Sequence, residues 1–90
     1  MENRNEITGK LQQIFRKTFD ENSLEIHEGM GAQDVEEWTS LTHTLMIAEV
    51  EKTFGIKFKL KEIIQFEQVS DLLDAIERHI GTGKNGHQDA

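Results

Sequence analysis

Glu37-Trp38-Thr39-Ser40-Leu41-Thr42 opens the stretch on which the fold turns, and Phe54-Gly55-Ile56 closes it. Between them apolar residues recur at helical spacing, so Thr39 or Ser40 starts a helix that runs to about Phe54. Both hydroxyls suit a helix N-terminus, and Gly55 fits the left-handed residue that ends one. The helix carries two apolar stripes. At about 100° per residue, Met46, Ile47, Val50 and Phe54 gather on one side, with Leu41, Leu45 and Ala48 on the other and Lys52 below them. A helix packed on a small core needs one such stripe. The second is expected to stay at least partly exposed beside Ser40 as a docking surface, because the preceding loop has too few apolar residues to cover it.

Upstream, Ile7, Leu11, Ile14, Phe15 and Phe19 share one face of a helix over Glu6 to Phe19, and Asn3 with Glu6 forms a capping box. Residues 20–38 show no sustained period, with Leu24, Ile26 and Met30 as the anchors onto the core. A loop this long in a small domain is often functional. Downstream, Ile56-Lys57-Phe58 reads as an extended link with its apolar residues inward. Lys61 to Phe66 reads as a short helix presenting Ile63, Ile64 and Phe66. Val69 to Ile80 is a final helix with Val69, Leu72, Leu73, Ile76 and Ile80 on one face. Its start lacks a good cap, and Gly81 is expected to end it. Met46, Val50, Phe58, Phe66 and Leu72 are read as plain core packing. The expected fold is all-α: a four-helix bundle of three main helices plus one short helix, with a long loop between helices 1 and 2. Residues 1–80 form the domain, and 81–90, with three glycines and no large apolar residue, are read as a disordered tail.

Ninety residues make one small domain, and the absence of cysteine excludes disulfides and thiolate metal sites. The N-terminus is polar, and no apolar run is long enough to span a bilayer, so the expectation is a cytoplasmic protein. A net charge of −7 disfavours nucleic acid and anionic membrane surfaces as partners and favours basic proteins. Asp20 to Glu37 holds seven acids and no Lys or Arg, which is either a solvated loop or a steering field for a basic partner approaching Ser40.

Several constellations fail as sites. His27, His43, His79 and His87 have no metal-ligand spacing, and His43 is read as a structural histidine at the edge of the buried stripe. Asp20 to Leu24 lacks the glycine and terminal glutamate of a calcium loop. No glycine-rich phosphate loop follows a strand. Ser40 with His43 and Glu37 resembles a nucleophile, base and orienter only in local order, without a strand-to-helix elbow, so no catalytic residue is assigned. A serine that opens a helix can instead carry a phosphate group, because the free N–H groups and positive dipole end there stabilise an anion. The simpler role is a cap alone.

Asp34-Val35-Glu36-Glu37-Trp38-Thr39-Ser40-Leu41-Thr42-His43, Ile47 to Ile56, and Phe66 to Ile76 together resemble the acyl carrier protein family, and the similarity in element order covers about residues 5 to 80. The flavour of the serine motif is nearer to stand-alone carriers of specialised pathways than to the housekeeping fatty-acid carrier. The resemblance implies that Ser40 carries 4'-phosphopantetheine, derived from coenzyme A and attached by a phosphopantetheinyl transferase. It implies a non-catalytic carrier of acyl thioesters that meets an acyl-loading ligase or acyltransferase and a downstream synthase as a monomer. Thr39, Leu41, Thr44, Leu45, Ala48, Glu36 and Glu37 are the partner-docking residues so implied. Two departures stand out. The family usually has Asp before the serine, where this chain has Thr39, and the face with Leu45, Ala48 and Lys52 is more apolar than in typical fatty-acid carriers. A peptidyl, aminoacyl or D-alanyl carrier shares the expected fold and chemistry. A helical interaction module that is never modified remains the alternative of another class.

Overall fold

Asn3 sets the first helix by reciprocal capping. Its side chain accepts from Glu6 N–H at 2.9 Å, and the Glu6 carboxylate accepts from Asn3 N–H at 3.2 Å. In the computed structural model, which describes residues 3–85, helix α1 spans Arg4–Phe19, α2 Ser40–Phe54, α3 Leu60–Gln65 and α4 Val69–Asn85. The all-α bundle with its long first loop is as the sequence reading expected. That loop also holds a single 3-10 turn, Ala32–Asp34, which the pattern did not reveal. It is set by Asp34, whose carboxylate accepts from Gly31 N–H at 2.9 Å.

α1 begins at Arg4, two residues before the expected start. It buries Ile7, Leu11, Ile14, Phe15 and Phe19, the face read from the sequence. Each such side chain contributes about 1.5–3 kcal/mol relative to exposure. The opposite edge of α1 orders the loop with polar side chains. Arg16 Nε donates to the Leu24 carbonyl at 2.6 Å, and Gln12 accepts from Ile26 N–H at 2.9 Å. Arg4 reaches Glu28 of the loop and Asp74 and Glu77 of α4, which ties three segments at one end of the bundle. These bonds, led by the one to Glu28, push the guanidinium further above its ordinary pKa. Leu24 and Ile26 pack half-buried against the core, and Met30 is buried.

The missing cap of α4 comes from two places. The Asp71 carboxylate accepts from Glu67 and Gln68 N–H, both at 3.0 Å. The Val69 and Ser70 N–H groups donate to the carbonyls of Met30 and Glu28 in the long loop. The loop is thus the acceptor for helical donors that would otherwise lack partners. Gly31 pairs with Gln68 in an isolated antiparallel bridge. A Cβ on Gly31 would lie 2.8 Å from the Glu67 carbonyl, so close approach, with no unusual φ, is what requires glycine there.

Three expectations need correction. α3 starts at Leu60 and ends at Gln65. Ile63 and Phe66 pack on the core, but Ile64 faces outward with Leu60. A six-residue helix lying on one side of a bundle has only one inward edge, and Ile63 occupies it. Gly81 does not end α4, which continues through Gly83 to Asn85, since each glycine only weakens a helix by about 1 kcal/mol. The part of the expected tail beyond Asn85 lies outside the described residues.

Candidate functional site

Thr39 and Thr42 build the front of α2. Thr39 N–H donates to Thr42 Oγ1 at 2.8 Å, and Thr42 N–H donates to Thr39 Oγ1 at 3.3 Å. Thr42 Oγ1 has one hydrogen, and the Glu37 carbonyl at 2.6 Å is its best acceptor. The turn before the helix is therefore locked from both sides. Threonine does the capping work here without a carboxylate.

Ser40 is the first residue of α2 and is exposed. Its carbonyl accepts from Thr44 Oγ1 at 3.1 Å, while its hydroxyl makes no hydrogen bond among the described residues. The Ser40 and Leu41 N–H groups also lack an acceptor among the described residues, as expected for the first turn of a helix. An anion attached to Ser40 would meet those donors and the positive end of the helix dipole.

Beside Ser40 lies an open groove of about 770 Å³ between the start of α2 and α3. Trp38, His43, Ile63 and Phe66 line it, and Leu60 and Ile64 form its outer wall. Met46, Val50, Phe58, Phe66 and Leu72, read as core packing, are all buried. The groove therefore runs over the core and leaves the centre of the bundle filled.

Trp38 and His43 carry this floor; His43 is the structural histidine the sequence suggested, but its partners and the role of Trp38 were not foreseen. Trp38 is buried, with its ring against Phe15 and Phe19 at centroid distances of 5.3 and 6.0 Å. Its indole N–H donates to His43 Nδ1 at 3.0 Å, and His43 Nε2 lies 3.2 Å from the Ile63 carbonyl. The indole can only donate, so Nδ1 accepts and Nε2 carries the hydrogen that binds Ile63. Trp38, α2 and α3 are joined through one imidazole. Both ring nitrogens are engaged, which leaves neither to activate Ser40 as a base. The five-residue separation of Trp38 and His43 was the available signal, but it becomes a contact only when the capped turn folds back.

On the other side of the groove, Glu62 anchors α3 to α4. It accepts from Lys59 N–H at 2.8 Å and meets His79 at 3.0 Å and Arg78 at 3.2 Å. Burial alone would raise this carboxyl. The Lys59 backbone bond, with the contacts to His79 and Arg78, outweighs that and holds it below the ordinary carboxylate range.

The residues named for docking lie around Ser40. Thr39, Leu41, Thr44, Leu45, Ala48 and Glu36 are exposed, and Glu37, whose carbonyl is held by Thr42, is half-buried. Leu41 is 69% exposed and Leu45 50%, whereas Met46, Ile47 and Val50 on the opposite side of the same helix are buried. Among the described residues no group of three or more His, Asp or Glu is disposed to hold a metal ion, and no helix is long and apolar enough to cross a membrane.

This arrangement is an all-α bundle with an exposed serine at the head of α2, beside an open groove. No family model matches the chain, and no curated protein does. Among solved structures the chain is similar to the solution NMR structure of a holo acyl carrier protein from Geobacter metallireducens. The two share 31% identity over 93% of this chain and 95% of that one, with a TM-score of 0.81. The chain belongs to the acyl carrier protein family. Its role is that of a carrier, and it is not an enzyme.

Proposed function

We propose that Ser40 is the attachment site for 4'-phosphopantetheine and that the protein presents acyl intermediates on that arm to partner enzymes. The observation that carries this reading is the exposed Ser40 hydroxyl at the head of α2, beside an open groove, in a chain of this family. A phosphopantetheinyl transferase supplies coenzyme A, Mg²⁺ and catalysis. Ser40 Oγ attacks the phosphorus, the bond to the adenosine bisphosphate half of coenzyme A breaks, and the transferase takes the serine proton. The group supplies a terminal thiol that holds cargo as a thioester. Every other contribution comes from the chain. The first-turn N–H groups favour the phosphodiester. The Thr39–Thr42 cap holds the serine outward. Leu41, Leu45 and Ala48, with Thr39, Thr44, Glu36 and Glu37, form the surface on which the transferase, a loading ligase or acyltransferase, and a downstream synthase dock. Residues 1–80 act as the carrier domain, as a monomer. The holo form of the relative supports this assignment.

Thr39 stands where the family usually has Asp, so a transferase that reads a carboxylate there loses one charge contact. Glu36 and Glu37 lie close enough in sequence to supply part of that field. The experiment is direct. The purified chain is incubated with coenzyme A, Mg²⁺ and a broad-specificity phosphopantetheinyl transferase, and its intact mass is recorded. The expected result is a gain of one phosphopantetheine that vanishes in Ser40→Ala. An unchanged mass with several transferases would overturn the proposal and leave an unmodified interaction module.

A further inference from the structure

Four large apolar side chains are exposed among the described residues: Leu41 and Leu45 on α2, and Leu60 and Ile64 on α3. The α2 pair belongs to the docking surface already proposed. The α3 pair does not. Leu60 and Ile64 are each 71% exposed and stand four residues apart, so they share one face of α3. Both line the groove that reaches Ser40.

The chain around this pair is basic. Lys57, Lys59 and Lys61 are all exposed. Phe58 is buried and Ile56 packs on the core, so the extended link turns Lys57 and Lys59 outward together. None of the three forms an ion pair among the described residues. Two nearby acids are already engaged: Glu51 accepts from Phe58 N–H at 2.8 Å, and Glu62 is held by Lys59 N–H, His79 and Arg78, which leaves Glu67 as an exposed acid beyond Phe66. In a chain of net charge −7, a run of unpaired cations around an exposed apolar pair is a local reversal of sign.

We propose that the outward face of α3, Leu60 and Ile64 framed by Lys57, Lys59 and Lys61, docks a partner protein whose contact surface is an apolar patch rimmed by carboxylates. The proposal rests on the reading of Ser40 as the arm-bearing residue only for why the contact lies beside it; the binding itself needs no arm. Charge selects the occupant. A basic surface meets three lysines here, but finds Glu36 and Glu37 on the Trp38 side of Ser40. A second copy of this chain offers Leu41 and Leu45 beside Glu36 and Glu37. The serine thus stands between two lips of opposite charge, which sort partners by the sign of their rim.

The test uses the ¹⁵N-labelled full chain and two synthetic amphipathic helical peptides with the same leucine face, one rimmed by Glu and one by Lys. Amide shifts are followed at about 0.02 M and about 0.3 M salt. The Glu-rimmed peptide is expected to shift Leu60, Lys61 and Ile64, and to weaken by about tenfold or more at the higher salt. The Lys-rimmed peptide is expected to shift Glu36 and Glu37 instead. Lys57→Glu/Lys59→Glu/Lys61→Glu should abolish the first set of shifts while helical circular dichroism is unchanged, since these side chains have no partners to lose. Equal or stronger shifts at Leu60 and Ile64 from the Lys-rimmed peptide, or none there from either, would overturn the proposal. Shifts at α2 and α3 that grow with protein concentration in the absence of peptide would overturn it in favour of self-association. A chain that gains no phosphopantetheine but still binds the Glu-rimmed peptide at α3 would sink the carrier reading alone.

Discussion

The back of the bundle and its front treat apolar surface in opposite ways. On α1 and α4 the apolar stripe is single and goes inward: Leu11, Phe15, Leu72, Leu73 and Ile76 are fully buried, and no large apolar side chain on either helix is exposed among the described residues. On α2 the inward Met46, Ile47 and Val50 are equally well buried and on α3 Ile63 is half-buried, yet Leu41, Leu45, Leu60 and Ile64 remain in solvent around Ser40. A shortage of core does not explain this, because the core beneath the front is filled by Met46, Val50, Phe58 and Phe66. Exposed apolar clusters of this kind mark contact surfaces. The lesson is that covered and exposed apolar surface separate by helix, with α2 carrying both on opposite sides.

The sharpest way to break that contrast is to compare the two sides of α2. Met46→Ala, on the buried side, should cost about 2–5 kcal/mol, because the surrounding helices cannot fully close the space. In a domain of this size each kcal/mol lowers the melting temperature by about 4–8 °C, so thermal denaturation followed by circular dichroism reads it easily. A fall of only a degree or two would mean that the inner stripe is not the core.

A smaller effect sharpens the account of how the front helix is held. Glu62→Gln weakens the tie between α3 and α4 and should cost about 1–2 kcal/mol near neutral pH. The sign of the pH dependence follows from the lowered carboxyl. The folded chain binds fewer protons at Glu62 than the unfolded one, so its contribution is fully present above the unfolded value of about 4.3. It is lost as pH falls through the folded value. Urea denaturation of both proteins should therefore show a gap at neutral pH that closes in acid. A gap that stays constant with pH would mean that the Glu62 charge is not the tether.

The smallest stability change is expected on the outer side. Leu45→Glu should cost less than about 1 kcal/mol and leave the melting curve nearly in place. Its effect should appear instead as slower arm transfer by a phosphopantetheinyl transferase, followed by intact mass. A large loss of stability would place Leu45 in the core and merge the two sides.

The elements legible in advance were those with local signatures. The capping box at Asn3, the apolar period of α1, the Thr39–Ser40 start and Gly55, with φ of 67° at the end of α2, all depend on residues within a few positions of each other. Ser40 stood out for the same reason. What escaped the reading depends on distant partners. The cap of α4 uses carbonyls of Glu28 and Met30, about forty residues away, and no local pattern points to them. Ile64 was expected inward because a six-residue helix shows too few turns to tell its faces apart. Leu60 was outside the expected helix altogether.

Sequence alone determined the helices, the two-sided character of α2 and the hydroxyl at its head, because helix period and capping act over one or two turns. Only the tertiary structure decided that the loop carbonyls of Glu28 and Met30 cap α4. It also decided that His43 links Trp38 to Ile63, and that Leu60 and Ile64 come to stand beside Ser40. Those outcomes depend on partners distant in sequence, and on a link from Gly55 to Lys59 that brings α3 alongside the start of α2.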